Sequence, residues 1–220
     1  MAVLACHAVV TGDTVVAHWR DQPLTVPSKT RMIGVVRIDT DSKSRPSLSQ
    51  EQVKKLAAIV CKVSTFPRVE EVQIDFDAVE SERHFYRDIL TLVRAQLPQT
   101  MPISITALAS WCLYDNWIQT LPVDETVPMM FSLGSERPKI LLYFESTKDF
   151  LVPSCCNSLG ISLEDAEVNK LMIPLTRQRK IPVRVYVFTK TAWSENKVHS
   201  LTALLDRVDD GATKTESKGL

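Results

Sequence analysis

The chain has 220 residues, 26 basic and 26 acidic side chains and a formal net charge of +0, with 45% hydrophobic and 24% charged residues. This is the balance of a globular chain of one large or two small domains. With neither a net positive charge nor a basic run, it offers no electrostatic footprint for nucleic acid or an anionic membrane surface.

No apolar run approaches the roughly 20 residues of a membrane span. Residues 1–6 lack the charged n-region and apolar h-region of a signal peptide, so they read as the start of a strand and the localisation stays open. The five cysteines, Cys6, Cys61, Cys112, Cys155 and Cys156, are odd in number, scattered and without a CxxC pair. They are expected to be small buried hydrophobes and not a disulfide framework or a zinc site.

In chain order, residues 3–10 are apolar and end at the turn signal Thr11-Gly12-Asp13, and residues 14–19 suit a second short strand. Residues 21–30, with Pro23 and Pro27, form a loop. Residues 32–38 are a continuous apolar run of strand length, ending in Asp39 and Asp41. A helix follows over residues 47–63. Ser47 or Ser49 caps it with a Gln three residues on, and Val53, Leu56, Ala57, Val60 and Val63 make its apolar stripe.

Residues 69–77 are the most informative strand. Val72, Ile74 and Phe76 share one face, and Gln73, Asp75 and Asp77 share the other. Next come a helix from Ser81 to about residue 96, a strand at residues 103–108, a short helix at 114–121, and strands at 126–133 and 139–144. A short helix capped by Ser162, a strand at 183–188 and a helix from Ser194 to about residue 205 complete the pattern.

Strands alternating with helices imply a parallel sheet in an α/β fold. The expected architecture is a (β/α) TIM-like barrel. A full barrel typically needs about 250 residues, so this one is expected to be incomplete or N-terminally shortened. A single domain over residues 1–206 and a disordered polar tail over 207–220 are expected.

In such barrels chemistry sits at the C-terminal strand ends. Asp75 and Asp77 are therefore the candidate catalytic acids, because two close carboxylates repel and split their pKa values. The rival reading is that they cap helices or pair with Arg. Asp39, with Arg37 as a partner, and Glu145, at the end of the expected strand 139–144, are further candidates at the same end. Trp111 and Trp193 follow strands 103–108 and 183–188 and are candidate platforms for the apolar face of a sugar; ordinary packing is the alternative. Asp124 and Glu125 precede a strand and suit capping or a salt bridge. His7, His18, His84 and His199 show no metal spacing, although His18 beside Trp19 lies in a plausible site loop. There is no Gly-rich phosphate loop and no GxSxG, so no cofactor or metal is expected.

Several segments together resemble the bacterial "domain of unknown function 3142" proteins. They are Val72-Gln73-Ile74-Asp75-Phe76-Asp77, Phe85-Tyr86, Leu97-Pro98, Ser104-Ile105-Thr106-Ala107-Leu108-Ala109-Ser110-Trp111, Val123-Asp124-Glu125, Val127-Pro128-Met129, Leu159-Gly160-Ile161-Ser162 and Val185-Tyr186-Val187-Phe188 with Trp193. The resemblance covers about residues 1–205. It implies a TIM-barrel shape related to glycoside hydrolases, without an established activity, and usually an export signal and a further first strand. The D-x-D also resembles part of the chitinase (family 18) signature, where a Glu two residues after the second Asp donates the proton; here that position is Val79.

The expectation is thus a glycosidase-like barrel acting on a carbohydrate. A non-catalytic carbohydrate- or partner-binding barrel is the alternative. A metal-using D-x-D transferase is a third option, which would need a nucleotide-binding fingerprint that is absent.

Overall fold

A computed structural model describes residues 1–147, 149–177 and 183–212. The strands are β1 (Ala2–Thr11), β2 (Thr14–Trp19), β3 (Met32–Thr40), β4 (Val69–Asp75), β5 (Ile103–Leu108), β6 (Glu125–Met129), β7 (Ser158–Ser162) and β8 (Arg184–Phe188). They form one sheet in the order β2-β1-β3-β4-β5-β6-β7-β8. Only the β1–β2 hairpin is antiparallel. Among the described residues six α-helices accompany the sheet: α1 (Gln50–Ser64), α2 (Arg83–Gln96), α3 (Ala109–Leu113), α4 (Arg137–Thr147), α5 (Ala166–Arg177) and α6 (Glu195–Ala212). The fold class is therefore α/β, as the alternation requires. No helix among the described residues is long and apolar enough to cross a membrane.

The order of pairing ends at β2 and β8 without joining them, so the sheet is not closed among the described residues. It is strongly curled. Ile33 on β3 clusters with Val127 on β6 and Tyr186 on β8, although four strands separate β3 from β8 in the sheet. One face of the sheet is the inside of this curl, and the other carries the helices.

On the outer face Val36, Ile38, Val72, Ile74, Ile103 and Ile105 pack with the stripes of α1 and α2 in one large core. Of the two candidate caps, Ser47 and Ser49, it is Ser49 that starts helix α1. The Ser49 backbone N–H donates to Gln52 Oε1 at 3.1 Å, and Gln52 N–H donates back to Ser49 Oγ at 3.4 Å. Gln52 Nε2 also donates to the carbonyls of Gly12 and Thr14, tying the β1–β2 turn to the helix. Gly34 lets α1 approach β3: a Cβ there would lie 2.4 Å from Val63 Cγ1.

Five expectations fail. Residues 139–144 form part of helix α4. The four-residue apolar run there has no period of its own, and a 3-10 turn at Gly134–Glu136 leads into a helix that buries Ile140 and Phe144 while Leu142 stays 67% exposed. Glu145 consequently lies on an exposed helical surface and ends no strand. Residues 158–162, expected to lead into a helix capped by Ser162, are strand β7; Asp165 instead accepts the Val168 N–H at the start of α5. Finally, Cys112 and Cys155 form a disulfide. Helix α6 continues to Ala212, into the expected tail, and residues 213–220 lie outside the described residues.

Candidate functional site

The inner face of the sheet is polar at both ends. At the C-terminal ends of the strands, one cross-strand row is built by register. His18 pairs with His7, His7 with Arg37, and Arg37 with Asp75. Residues paired across a sheet share a face and sit about 4.8 Å apart along the hydrogen-bonding direction, so the row is fixed by strand alternation and not by loops.

Hydrogen bonds link this row into a chain. His7 Nε2 lies 2.7 Å from Asp39 Oδ2. Arg37 grips Asp39 with both Nε and Nη2, at 3.3 and 3.0 Å, and donates from Nη1 to Asp75 Oδ2 at 3.0 Å. Thr106 on β5 donates to the other Asp75 oxygen, Oδ1, at 2.6 Å. Burial alone would raise the Asp39 carboxyl; the hydrogen bonds from Arg37 and His7 outweigh it and hold it below the usual aspartate value.

Asp77 is different. It lies just past β4, where the Ala78 N–H donates to the Phe76 carbonyl at 2.9 Å, a turn centred on Asp77 that points the residue away from the ladder. Its side chain reaches solvent, yet it is crowded by protein. This crowding, reinforced by Asp75 and by Asp39, pushes its carboxyl above the ordinary aspartate value, and Arg37 only partly offsets the push. Beneath it, Tyr86 is fully buried, packs edge-on to Phe76 at 5.1 Å and donates to the Ile74 carbonyl. The strand end is therefore rigidly backed.

The structure brings together Asp39, Asp75 and Asp77 from the residues expected by sequence. It removes Trp111, which is 3% exposed in the core, edge-on to Trp117 at 4.9 Å. Helix α3 begins directly after β5 and folds Trp111 inward, so it is not a sugar platform. Glu145, on α4, is not part of the row. Trp193 is 48% exposed and lines a cavity of about 890 Å³ along β8 with Tyr186 and Phe188. His7 and Thr106 were missed, although their polar character at alternate positions of otherwise apolar strands was a usable signal. Among the described residues no group of three or more His, Cys, Asp or Glu is placed to hold a metal ion.

The N-terminal end of the same face carries a second network. Glu71, 1% exposed, accepts from Arg31 at 2.9 Å, from Arg184 at 3.2 Å and from Ser104 at 2.7 Å. Arg184 also reaches Glu125 at 2.6 Å, and Tyr186 donates to that same Glu125 oxygen at 3.0 Å. Asp124 pairs with Arg94, the salt bridge its position before β6 suggested; it caps no helix but accepts the N–H of Ile103 at the start of β5. No family model matches the chain, and no curated protein matches it.

Proposed function

We propose that this chain is a glycoside-hydrolase-like protein. In this reading its sheet is a (β/α) barrel left open between β8 and the β1–β2 hairpin, and the cleft at the C-terminal strand ends takes a carbohydrate. Asp77 is the proton-donating acid and Asp75 the carboxylate that faces the developing positive charge of an oxocarbenium-like transition state. The observation that carries this reading is the asymmetry of the two acids: Asp75 is anchored through both oxygens by Arg37 and Thr106, while Asp77 is solvent-accessible with a raised pKa. An acid and a carboxylate in different environments are what acid/base chemistry needs from one pair.

A second reading, a carbohydrate-binding cleft without turnover, has its own support. Both oxygens of Asp75 are already engaged and Glu145 lies elsewhere, so of the three acids brought together among the described residues Asp77 is the one without a hydrogen-bonded anchor. Incubation with a panel of defined oligosaccharides separates the two. Cleavage that Asp77→Asn abolishes supports the enzyme; binding with no cleavage of any member supports the second reading. Cleavage unchanged in both Asp75→Asn and Asp77→Asn refutes the assignment of these residues. Loss of activity with a chelator favours a metal-dependent site instead.

A further inference from the structure

Phe131 and Phe188 form a ring pair on the same face of the sheet as Asp75. Their centroids are 5.0 Å apart at 40°, and both rings are partly exposed. Phe188 ends β8 and pairs in register with Ser162 at the end of β7. Phe131 lies two residues beyond Met129, whose partner is Gly160, two residues before Ser162. Ser162 and Phe188 are thus paired at the ends of β7 and β8, and the ring contact places Phe131, just past the end of β6, beside Phe188. The pair sits above the inner apolar cluster of Ile33, Val127 and Tyr186, against which Phe188 packs.

Gly160 shapes this surface. A Cβ at this position would lie 3.3 Å from Phe188 Cε2, 3.4 Å from Val127 Cγ1 and 3.2 Å from the Pro128 carbonyl. The missing side chain lets the Phe188 ring lie down across β7 towards β6 and meet Phe131. A Cβ there would require the Phe188 ring or its neighbours to give by a few tenths of an ångström. Polar groups border the rings. Glu164 accepts from Ser162 at 2.8 Å and from Thr189 at 2.7 Å, and hydrogen bonds from Thr189 and then Ser162 hold its carboxyl down to about 2. On its other side Phe188 borders the cavity of about 890 Å³ that runs along β8 to Arg31 and Arg184, which Phe131 does not line.

We infer that Phe131 and Phe188, seated on Gly160, form the sugar-stacking subsite of this cleft, the position the sequence led one to seek at Trp111. This rests on the carbohydrate reading of the acidic row. The occupant is a pyranose ring: one flat C–H face to lie on the aromatic pair, and hydroxyls at its rim to meet Glu164, Thr189 and Ser162. Continuity with the acidic row on the same face and at the same strand ends argues for a sugar over an isolated apolar ligand, because an extended saccharide spans both.

The test is isothermal titration of the intact chain with four probes, cellotetraose, chitotetraose, maltotetraose and xylotetraose, against wild type, Phe188→Leu, Phe188→Tyr, Phe131→Leu and Asp77→Asn. For the probe that wild type binds, Phe188→Leu and Phe131→Leu are each expected to weaken affinity about tenfold, the loss of one ring face of apolar contact. Phe188→Tyr is expected to retain it, and Asp77→Asn, in the acidic row, to weaken it less than either Leu variant does. If turnover is present, the Leu variants raise KM with kcat little changed. Circular dichroism melts exclude misfolding; should a Leu variant not fold, Met at the same position, which also removes the ring face, provides the same readout. Undiminished binding by both Leu variants, with Arg37→Met or Asp75→Asn still weakening it, overturns this subsite and leaves the carbohydrate reading standing. Binding of no probe by folded wild type refutes both.

Discussion

Two polar clusters occupy the inner face of one sheet, and they are built from the same residue types. At the N-terminal strand ends two arginines, Arg31 and Arg184, face two glutamates, Glu71 and Glu125, and Glu71 is buried with three donors. At the C-terminal ends one arginine, Arg37, faces Asp39 and Asp75, with Asp77 beyond them. The first cluster is balanced and connects β3, β4, β6 and β8 across the curl, so it holds the sheet in shape. The second carries surplus negative charge and ends in an acid exposed to solvent. Charge type does not distinguish a structural network from a site. Balance does: the first cluster also borders an open cavity, of about 560 Å³, but its charges are satisfied by one another.

Four measurements test whether the two clusters differ in role. The largest effect is expected at the unbalanced end. If the chain turns over a glycan, Asp77→Asn should lower kcat by about 10²-fold or more, the usual contribution of a positioned acid, with no loss of melting temperature. A variant that loses stability in place of activity would make the two ends alike. A perturbation that touches neither end provides the control. Replacing Cys112 and Cys155 by Ser should cost about 2–4 kcal/mol in urea unfolding, because the bridge closes a loop of 43 residues, while saccharide affinity of the folded fraction is unchanged.

At the balanced end Glu71→Ala should cost about 2–3 kcal/mol by the same measurement. It strips a buried carboxylate from Ser104 and two arginines, and the arginines, 47% and 42% exposed, recover part of the loss by rehydrating. Glycan affinity should follow stability alone. The smallest effect is a difference in sign with pH. Asp77 has a raised folded pKa, so its charged form opposes folding. Asp77→Asn should therefore be slightly more stable than wild type at pH 7, and the gain should disappear on acidification below about pH 3.5, near the ordinary aspartate value. Asp39 has a lowered folded pKa and stabilises above the ordinary value. Asp39→Asn should be less stable at pH 7, and that deficit should shrink as pH falls through the folded value. Equal signs for the two variants would refute the assignment of opposite environments.

Much of the frame was legible in residue order. The alternation in residues 69–77 placed Asp75 on the inner face and identified the C-terminal strand end, and the Ser49–Gln52 box set the start of α1. Arg37 and Asp39 were legible as a pair because they are two residues apart on one strand. The failures share a cause. The run Ile140-Leu141-Leu142-Tyr143 is too short to show a period, so its helix, and with it the position of Glu145, depended on the turn before it. Trp111 was placed correctly at a strand end, but its side-chain direction was set by where α3 folds, which no local pattern encodes.

What the chain determines by itself is local: periodicity, caps and the face each strand residue takes, since these follow from backbone geometry within a few residues. Tertiary structure alone decided which distant residues meet. His7 reached Asp39 across 32 positions, Cys112 reached Cys155 across 43, Glu71 met Arg184 across 113, and Phe131 met Phe188 over the bare backbone of Gly160. Those meetings follow from strand order and from the curl of the sheet, which are properties of packed layers and not of any one stretch of sequence.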